Sequence, residues 1–250
     1  MTVRFDYTPP DAPGIVESID LEGLFPGEHI IGVIGTLRSF YESDLLEHLA
    51  ASGPRGGTFI DVGANIGNHS IYFAKFLADH VVSVEPDPAL MPVLRRNLAT
   101  NVPVARVTVL EAALGARAGA GEMARREGYE ANAGAGNVLA RYGDTPEAGQ
   151  VTILTLDELV RSLTAAGAAQ VRLVKLDVEG MELDVLEGAT TMLTEQHPDL
   201  VVEAPGESEH EALVQFLKPY RYEEVGRYCH TPVYHFAHGA DHEASPEEGE

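Results

Sequence analysis

Two kinds of apolar pattern alternate along most of the chain. Short runs rich in Val, Ile and Leu predict buried strands, and longer stretches with apolar residues three or four positions apart predict helices. The predicted strands are residues 58–62, 81–85, 106–110, 171–177 and 199–203. Because strands and helices alternate, we expect an α/β fold with a mostly parallel sheet and helices on both faces.

Further elements are predicted around this repeating pattern. Residues 220–228 and 232–236 alternate like two antiparallel strands, which predicts a hairpin at the edge of the sheet. Residues 39–52 and 181–195 each predict a helix, and residues 29–34 predict a strand or an edge hairpin.

Composition sets three segments apart from the main domain, which is predicted to cover residues 39–237. Residues 1–38 are rich in Pro, Gly and acids and form an N-terminal extension, which either caps a site or only packs against the sheet. Residues 115–150 are a Gly- and Ala-rich insert, predicted to be a substrate lid or a disordered loop. Residues 238–250 are an acidic tail, predicted to be disordered.

Composition and charge narrow the class of protein. The chain has 250 residues, 44% of them apolar, and a formal net charge of −22, which argues against a nucleic acid or an anionic membrane surface as partner. Cys229 is the single cysteine, so neither an internal disulfide nor a cysteine-based zinc site is expected. No transmembrane run or signal peptide is recognisable, and a cytoplasmic location is expected.

A glycine-rich turn follows the first predicted strand and is the first candidate binding motif. Asp61, Gly63, Asn65 and Gly67 occupy alternate positions, in the pattern D-x-G-x-N-x-G. A turn between a strand and a helix directs free backbone N–H groups toward a ligand. The spacing differs from the G-x-G-x-x-G motif of dinucleotide-binding proteins and from a P-loop.

Two later strand ends extend this candidate site. Glu85 ends the second strand, 22 residues after Gly63, where a carboxylate can accept hydrogen bonds from ribose hydroxyls. The alternative is an ordinary carboxylate at a strand end. Small residues around Ala112, after the third strand, leave room for an adenine ring or form a plain transition to a loop.

A second acidic motif follows the fourth predicted strand. Asp177, Glu179 and Glu182 surround Gly180 at the same edge of the sheet as Asp61 and Glu85. On an unbroken strand, Asp177 and Glu179 would point to the same face, because side chains alternate. We therefore expect a cluster of carboxylates at the mouth of the site.

These motifs together resemble FkbM-type methyltransferases over roughly residues 39–236. The matching segments are residues 61–69, 84–86, 175–182 and 185–189. The resemblance implies a class I methyltransferase fold, which is Rossmann-like with a seven-stranded sheet, and S-adenosylmethionine as methyl donor. It also implies O-methylation of a hydroxyl on a sugar or a small natural product.

The resemblance assigns roles to particular residues. It implies that Asp61, Gly63, Asn65, Gly67 and Asn68 bind the methionine part of the donor, Glu85 the ribose and Ala112 the adenine edge. Asp177 and Glu179 would face the methyl group and the acceptor, with Asp177 also contacting the donor.

The catalytic chemistry leaves several alternatives open. Glu179, Asp177 and His69 are candidates for a base that deprotonates the acceptor. Asp177 and Glu179 could also hold Mg²⁺, although nothing in the sequence requires a metal. The rival functions are an N-methyltransferase of the same fold and a non-catalytic nucleotide-binding module.

Overall fold

The computed structural model describes residues 1–125, 136–147 and 149–239. In chain order the strands are β1 (Thr2–Tyr7), β2 (Glu17–Glu22), β3 (Thr58–Val62), β4 (His80–Val84), β5 (Val107–Leu110), β6 (Ala113–Leu114), β7 (Gly119–Arg125), β8 (Gly136–Tyr142), β9 (Val151–Leu154), β10 (Val171–Leu176), β11 (Asp199–Glu203), β12 (Tyr222–Tyr228) and β13 (Val233–His238). The α-helices are α1 (His29–Leu37), α2 (Ser43–Ser52), α3 (Asn68–Tyr72), α4 (Met91–Asn101), α5 (Leu156–Ala165), α6 (Glu182–Glu187), α7 (Thr190–Glu195) and α8 (Glu207–Leu217). None of these helices has the length and apolar character needed to cross a membrane.

A seven-stranded sheet forms the centre of the fold, in the order β12-β13-β11-β10-β3-β4-β5. The five strands from β11 to β5 run parallel, and β13 pairs antiparallel with both β11 and β12. The predicted α/β fold, its mostly parallel sheet and its antiparallel C-terminal hairpin are therefore confirmed. Because β10, β3 and β4 are parallel neighbours, their carboxyl ends meet at one edge.

Both faces of the sheet are covered, which explains why β3 is buried along its whole length. Phe59 faces a cluster that includes apolar residues of α2, α3 and α4. Its neighbour Ile60 faces the opposite cluster, formed with residues of α5 to α8. Successive side chains of a strand point to opposite faces, so one strand contributes to both cores.

The N-terminal extension contains a hairpin and a helix, so the strand predicted at residues 29–34 is wrong. Ile31 and Ile34 are buried at helical spacing in α1, and the Glu28 side chain accepts hydrogen bonds from the backbone of Ile30 and Ile31 at its start. The β-branched residues suggested a strand, but the spacing and the acidic N-cap favour a helix. The β1-β2 hairpin forms a separate two-stranded sheet.

The insert at residues 115–150 is ordered in its described part, which corrects the prediction of a disordered loop. Strands β7 and β8 form an antiparallel hairpin that joins β9 and β6 in a four-stranded sheet. A Cβ at Gly121 would collide with Val138, so this glycine allows close packing of the hairpin. Residues 126–135 of this insert lie outside the described residues, so its predicted role as a substrate lid stays a prediction.

Two predicted boundaries in the C-terminal half are also wrong. The single helix predicted for residues 181–195 is divided into α6 and α7 at Gly188. Gly188 packs against the backbone of Gly115, and the Asp157 carboxylate accepts hydrogen bonds from the first turn of α7. The predicted acidic tail begins too early, because His238 is a buried residue of β13, whereas residues 240–250 lie outside the described residues.

Candidate active site

A cavity of about 350 Å³ opens at the carboxyl ends of the parallel strands. The ends of β3, β4, β10 and β11 contribute to its lining, together with parts of the N-terminal extension and the insert. The lining residues used below are Tyr41, Glu42, Gly63, Asn65, Glu85, Ala112, Asp177, Glu179 and Glu203.

The glycine turn after β3 forms one wall of the cavity. Gly63 has φ of 79°, and a Cβ at this position would collide with the carbonyl oxygen of Asp177. Asn65 also has a positive φ, of 51°, and its Oδ1 atom is buried with no hydrogen-bond partner in the described part of the chain. The turn therefore brings the backbone close to Asp177 and leaves a polar atom available to a ligand.

Glu85 lies immediately after β4 and is held firmly in the same wall. Its Oε1 accepts a hydrogen bond from the Asp87 backbone N–H at 2.9 Å, and its Oε2 accepts one from Asn65 at 2.8 Å. Burial raises the pKa of Glu85 to about 7, although these two hydrogen bonds oppose the shift. Ala112 is buried in the same cavity lining. The structure thus brings together Gly63, Asn65, Glu85 and Ala112, as the sequence predicted.

Three other residues predicted to bind the donor lie behind the lining. Asp61 is fully buried, where its carboxylate accepts a hydrogen bond from Ser70. Gly67 starts α3 with φ of 92°, and a Cβ here would lie only 3.0 Å from a methyl carbon of Leu94. Asp61 and Gly67 pack behind the glycine turn and do not line the cavity. Their positions therefore give no support to the expected direct contact with the donor.

The third of these residues, Asn68, connects the glycine turn to the segment before α2. Its Oδ1 accepts a hydrogen bond from the backbone N–H of Tyr41, and its Nδ2 donates to the carbonyl oxygen of the same residue, both at 3.0 Å. Both polar groups of the amide are therefore engaged by backbone. Asn68 positions Tyr41, which does line the cavity.

His69, predicted as a candidate base, is buried behind Glu42 and does not line the cavity. Its Nε2 lies 3.1 Å from Glu42 Oε2, but neither atom is aligned for a hydrogen bond. Glu42 adopts a left-handed backbone conformation with φ of 58° and does face the cavity. His69 is therefore placed to act on Glu42, which was not predicted as a site residue.

Lys175 is a buried cation beneath the cavity that was also not predicted as a site residue. Its side chain is 2% exposed, and its Nζ lies 3.2 Å from Asp177 Oδ2 and 3.4 Å from Asp61 Oδ1. Burial alone would lower the pKa of Lys175, but the carboxylates of Asp177, Asp61 and Glu42 together raise it above its ordinary value. Lys175 therefore remains charged and neutralises part of the acidic cluster.

Asp177 and Glu179 line the cavity, but the strand on which the prediction relied has already ended. β10 stops at Leu176, and Glu179 and Gly180 adopt positive φ values of 55° and 99°. The Glu182 carboxylate closes this turn by accepting hydrogen bonds from the backbone of Val178 and Gly180, at 3.0 and 3.2 Å. The expected alternation along an unbroken strand is wrong, because the chain turns sharply here.

Glu203 is a further cavity residue that was not predicted. It is the last residue of β11, and burial raises its pKa to about 9, with further contributions from the charges of Asp177, Glu179 and Glu182. A carboxylic acid with such a pKa carries a proton near neutral pH. The cavity is thus lined both by Asp177, which pairs with Lys175, and by Glu203, whose pKa favours the protonated form.

The geometry gives no support to a magnesium site at Asp177 and Glu179. Within residues 1–125, 136–147 and 149–239, no three His, Cys, Asp or Glu side chains converge in an arrangement that could hold a metal ion.

Comparison with known families identifies the type of protein. A family model described as methyltransferase FkbM domain matches residues 61–224. The chain belongs to this family. The match spans every strand of the parallel sheet except the first residues of β3, and it agrees with the family that the motifs indicated.

Individual relatives agree with this assignment. Methyltransferase sdnD from Sordaria araneosa is 28% identical over 181 residues, which are 60% of this chain and 66% of that protein. The crystal structure of methyltransferase FkbM from Methylobacillus flagellatus KT has a TM-score of 0.51 and 19% identity, and the alignment covers 72% of this chain and 43% of that chain. The FkbM-family chain thus spans just under two thirds of the first relative and less than half of the second.

A third similar structure is precorrin-6y C5,15-methyltransferase from Geobacter metallireducens GS-15. Its TM-score is 0.47 at 16% identity, with 78% of this chain and 85% of that chain covered.

Proposed function

We propose that this FkbM-family methyltransferase uses S-adenosylmethionine to methylate a hydroxyl of a sugar or another small molecule. One observation supports the proposal above all others. A single cavity is lined by the buried carboxylate Glu85 beside the glycine turn and by the acids Asp177, Glu179 and Glu203 beyond it. The first group suits an adenosine donor, and the second suits an acceptor that donates protons.

The residues of the first group fit the donor chemically. Glu85 keeps a carboxylate, already oriented by two backbone N–H groups, at the position where ribose hydroxyls are expected. The unpartnered Oδ1 of Asn65 offers another acceptor, which suits the amino group of the methionine part. Gly63 permits close approach, and Ala112 leaves space for the adenine edge.

Bound S-adenosylmethionine would supply an activated methyl group on a positively charged sulfur. The protein then has to align an acceptor oxygen with that methyl group and exclude water, which is a large part of the rate enhancement in bimolecular reactions. In this proposal, Asp177, whose Oδ2 lies 3.2 Å from Lys175 Nζ, contacts both reactants. Glu179 contributes a second carboxylate for the acceptor, and His69 acts on this wall indirectly through Glu42.

The cavity also limits the class of acceptor. Its volume of about 350 Å³ is near the lower end for small-molecule sites, which favours a small acceptor. The acidic lining and the net charge of −22 disfavour phosphorylated acceptors and nucleic acids. A neutral, hydroxyl-rich small molecule is the acceptor most compatible with the acidic lining of the cavity.

Binding and transfer assays test this function. We expect isothermal titration calorimetry to detect binding of S-adenosylmethionine and S-adenosylhomocysteine and no binding of NAD. Transfer of a labelled methyl group is then measured with matched acceptors, such as glucose and glucosamine or cyclohexanol and cyclohexylamine, and we expect methylation at oxygen.

Other outcomes of the same assays would contradict the proposal. Binding of NAD without S-adenosylhomocysteine would exclude the donor. Methylation of only the amines would favour the N-methyltransferase. Donor binding with no transfer to any acceptor would favour a module that binds the nucleotide without catalysis.

A further inference from the structure

Glu203 differs from three other carboxylates of the cavity in its polar contacts. Glu85 accepts two backbone N–H groups, Asp177 pairs with Lys175, and Glu42 faces His69. In the described part of the chain, no group donates a hydrogen bond or forms an ion pair with the Glu203 carboxylate. This side chain therefore lines the cavity, and its carboxylate makes no hydrogen bond or ion pair with the described residues.

The sheet places Glu203 beside Asp177, the cavity residue that packs against the glycine turn. Leu176 of β10 pairs with Val202 of β11, so the next residues, Asp177 and Glu203, lie side by side at the carboxyl ends of the two strands. The backbone of Asp177 in turn packs against Gly63 of the glycine turn. Only β10 therefore separates Glu203 from the strand that carries the glycine turn, and both line the same cavity.

Burial and the acids around Glu203 favour its neutral form. Burial raises its pKa to about 9, and the negative charges of Asp177, Glu179 and Glu182 add to this effect, whereas Lys175 opposes it. Tyr41, from the segment before α2, shares this environment, because burial and the charges of Glu42, Asp177 and Glu203 contribute to raising its pKa. A cation brought into the cavity would favour the ionised form of Glu203.

We propose that Glu203 is the group that accepts the proton of the acceptor hydroxyl, and that entry of a cationic donor converts it from a neutral acid into the required base. The inference rests on the proposed function. During transfer, the acceptor oxygen forms a bond to the methyl carbon and the C–S bond breaks, with its electron pair remaining on sulfur. The hydroxyl proton passes to the Glu203 carboxylate, which balances the reaction.

Proton release on ligand binding tests this inference without requiring turnover. S-adenosylmethionine and S-adenosylhomocysteine differ in the methyl group and its positive charge. Titrating the full chain with each ligand at pH 8, in buffers of different ionisation enthalpy, gives the number of protons released. We expect S-adenosylmethionine to release up to about one proton more than S-adenosylhomocysteine, because a nearby cation lowers the pKa of a carboxylic acid.

Two variants assign the released proton. Glu203→Gln keeps the shape of the side chain and should abolish the difference between the two ligands. Glu111→Gln, at an exposed residue just after β5, should retain it. Unchanged S-adenosylhomocysteine affinity in each variant shows that the site is still folded.

The possible results separate this inference from the proposed function. Binding of both ligands without a difference in proton release by the unmodified chain overturns the inference alone. A difference that persists in Glu203→Gln, or disappears in Glu111→Gln, also overturns it. Failure of both ligands to bind overturns the proposed function and this inference with it. With a known acceptor, Glu203→Gln should lower the single-turnover rate by about 10²–10⁴-fold, the range for loss of a general base.

Discussion

Glu85 and Glu203 are both glutamates at the carboxyl end of the sheet, yet their surroundings differ. Glu85 follows β4 and accepts two hydrogen bonds from backbone N–H groups. Glu203 ends β11 beside three other acids, and no described group donates a hydrogen bond to it. Burial is the largest cause of the raised pKa in both, which is about 7 for Glu85 and about 9 for Glu203.

The difference shows how one fold can prepare two carboxyl groups for different tasks. Backbone N–H groups stabilise a negative charge and fix the orientation of Glu85, so it is suited to binding. Glu203 has neighbouring negative charges instead, so its ionisation depends on what else occupies the cavity. This contrast supports our proposal that the wall around Glu85 binds the donor and that Glu203, on the opposite wall, accepts the proton.

The largest effect, on the free energy of unfolding, is expected from replacing Lys175, the buried cation beneath Asp177. Lys175→Met should lower the free energy of unfolding by about 3–5 kcal/mol, because Asp61 and Asp177 would lose their buried counter-charge. Urea unfolding measures this loss. The matched control is Lys75→Met, which removes a less buried ion pair with Glu17 and should cost at most about 1 kcal/mol. Equal losses of unfolding free energy in the two variants would show that Lys175 does not stabilise the buried carboxylates Asp61 and Asp177.

A smaller effect is expected at the donor wall. Glu85→Gln should weaken S-adenosylhomocysteine binding by about 1–3 kcal/mol, because the new amide group opposes the backbone N–H of Asn65 or Asp87 and removes an acceptor for the ribose. Calorimetry measures the affinity, with Glu111→Gln as the control at an exposed strand end. An unchanged affinity would mean that Glu85 is only a structural carboxylate.

The elements predicted from sequence were those whose patterns are local. The runs from Thr58 and from Asp199 were recognisable because both faces of a central strand are buried and so apolar. Glu85 could be predicted from its distance to Gly63, because the length of a strand–helix–strand unit fixes where the second strand ends. The acids after β10 were found by their sequence motif, although the sharp turn at Glu179 was not.

The residues missed by the sequence analysis depend on contacts between distant segments. Glu42 and Glu203 are separated by most of the chain and line the same cavity only in the folded protein. Lys175 had a usable signal, since a lysine between Val174 and Leu176 in a buried strand requires a counter-charge. The strands of the insert were not predicted because glycines such as Gly121 were interpreted as a sign of flexibility. In the structure, the lack of a side chain at Gly121 permits tight packing of the strands.

The division of the cavity into a donor wall and a proton-accepting wall is tested most directly by a crystal structure with S-adenosylhomocysteine. We predict that the ribose hydroxyls lie within hydrogen-bond distance of Glu85, at about 2.6–3.2 Å. We also predict that the sulfur faces the space between Asp177 and Glu203. A ribose bound away from Glu85, or a sulfur directed away from Asp177 and Glu203, would contradict this account.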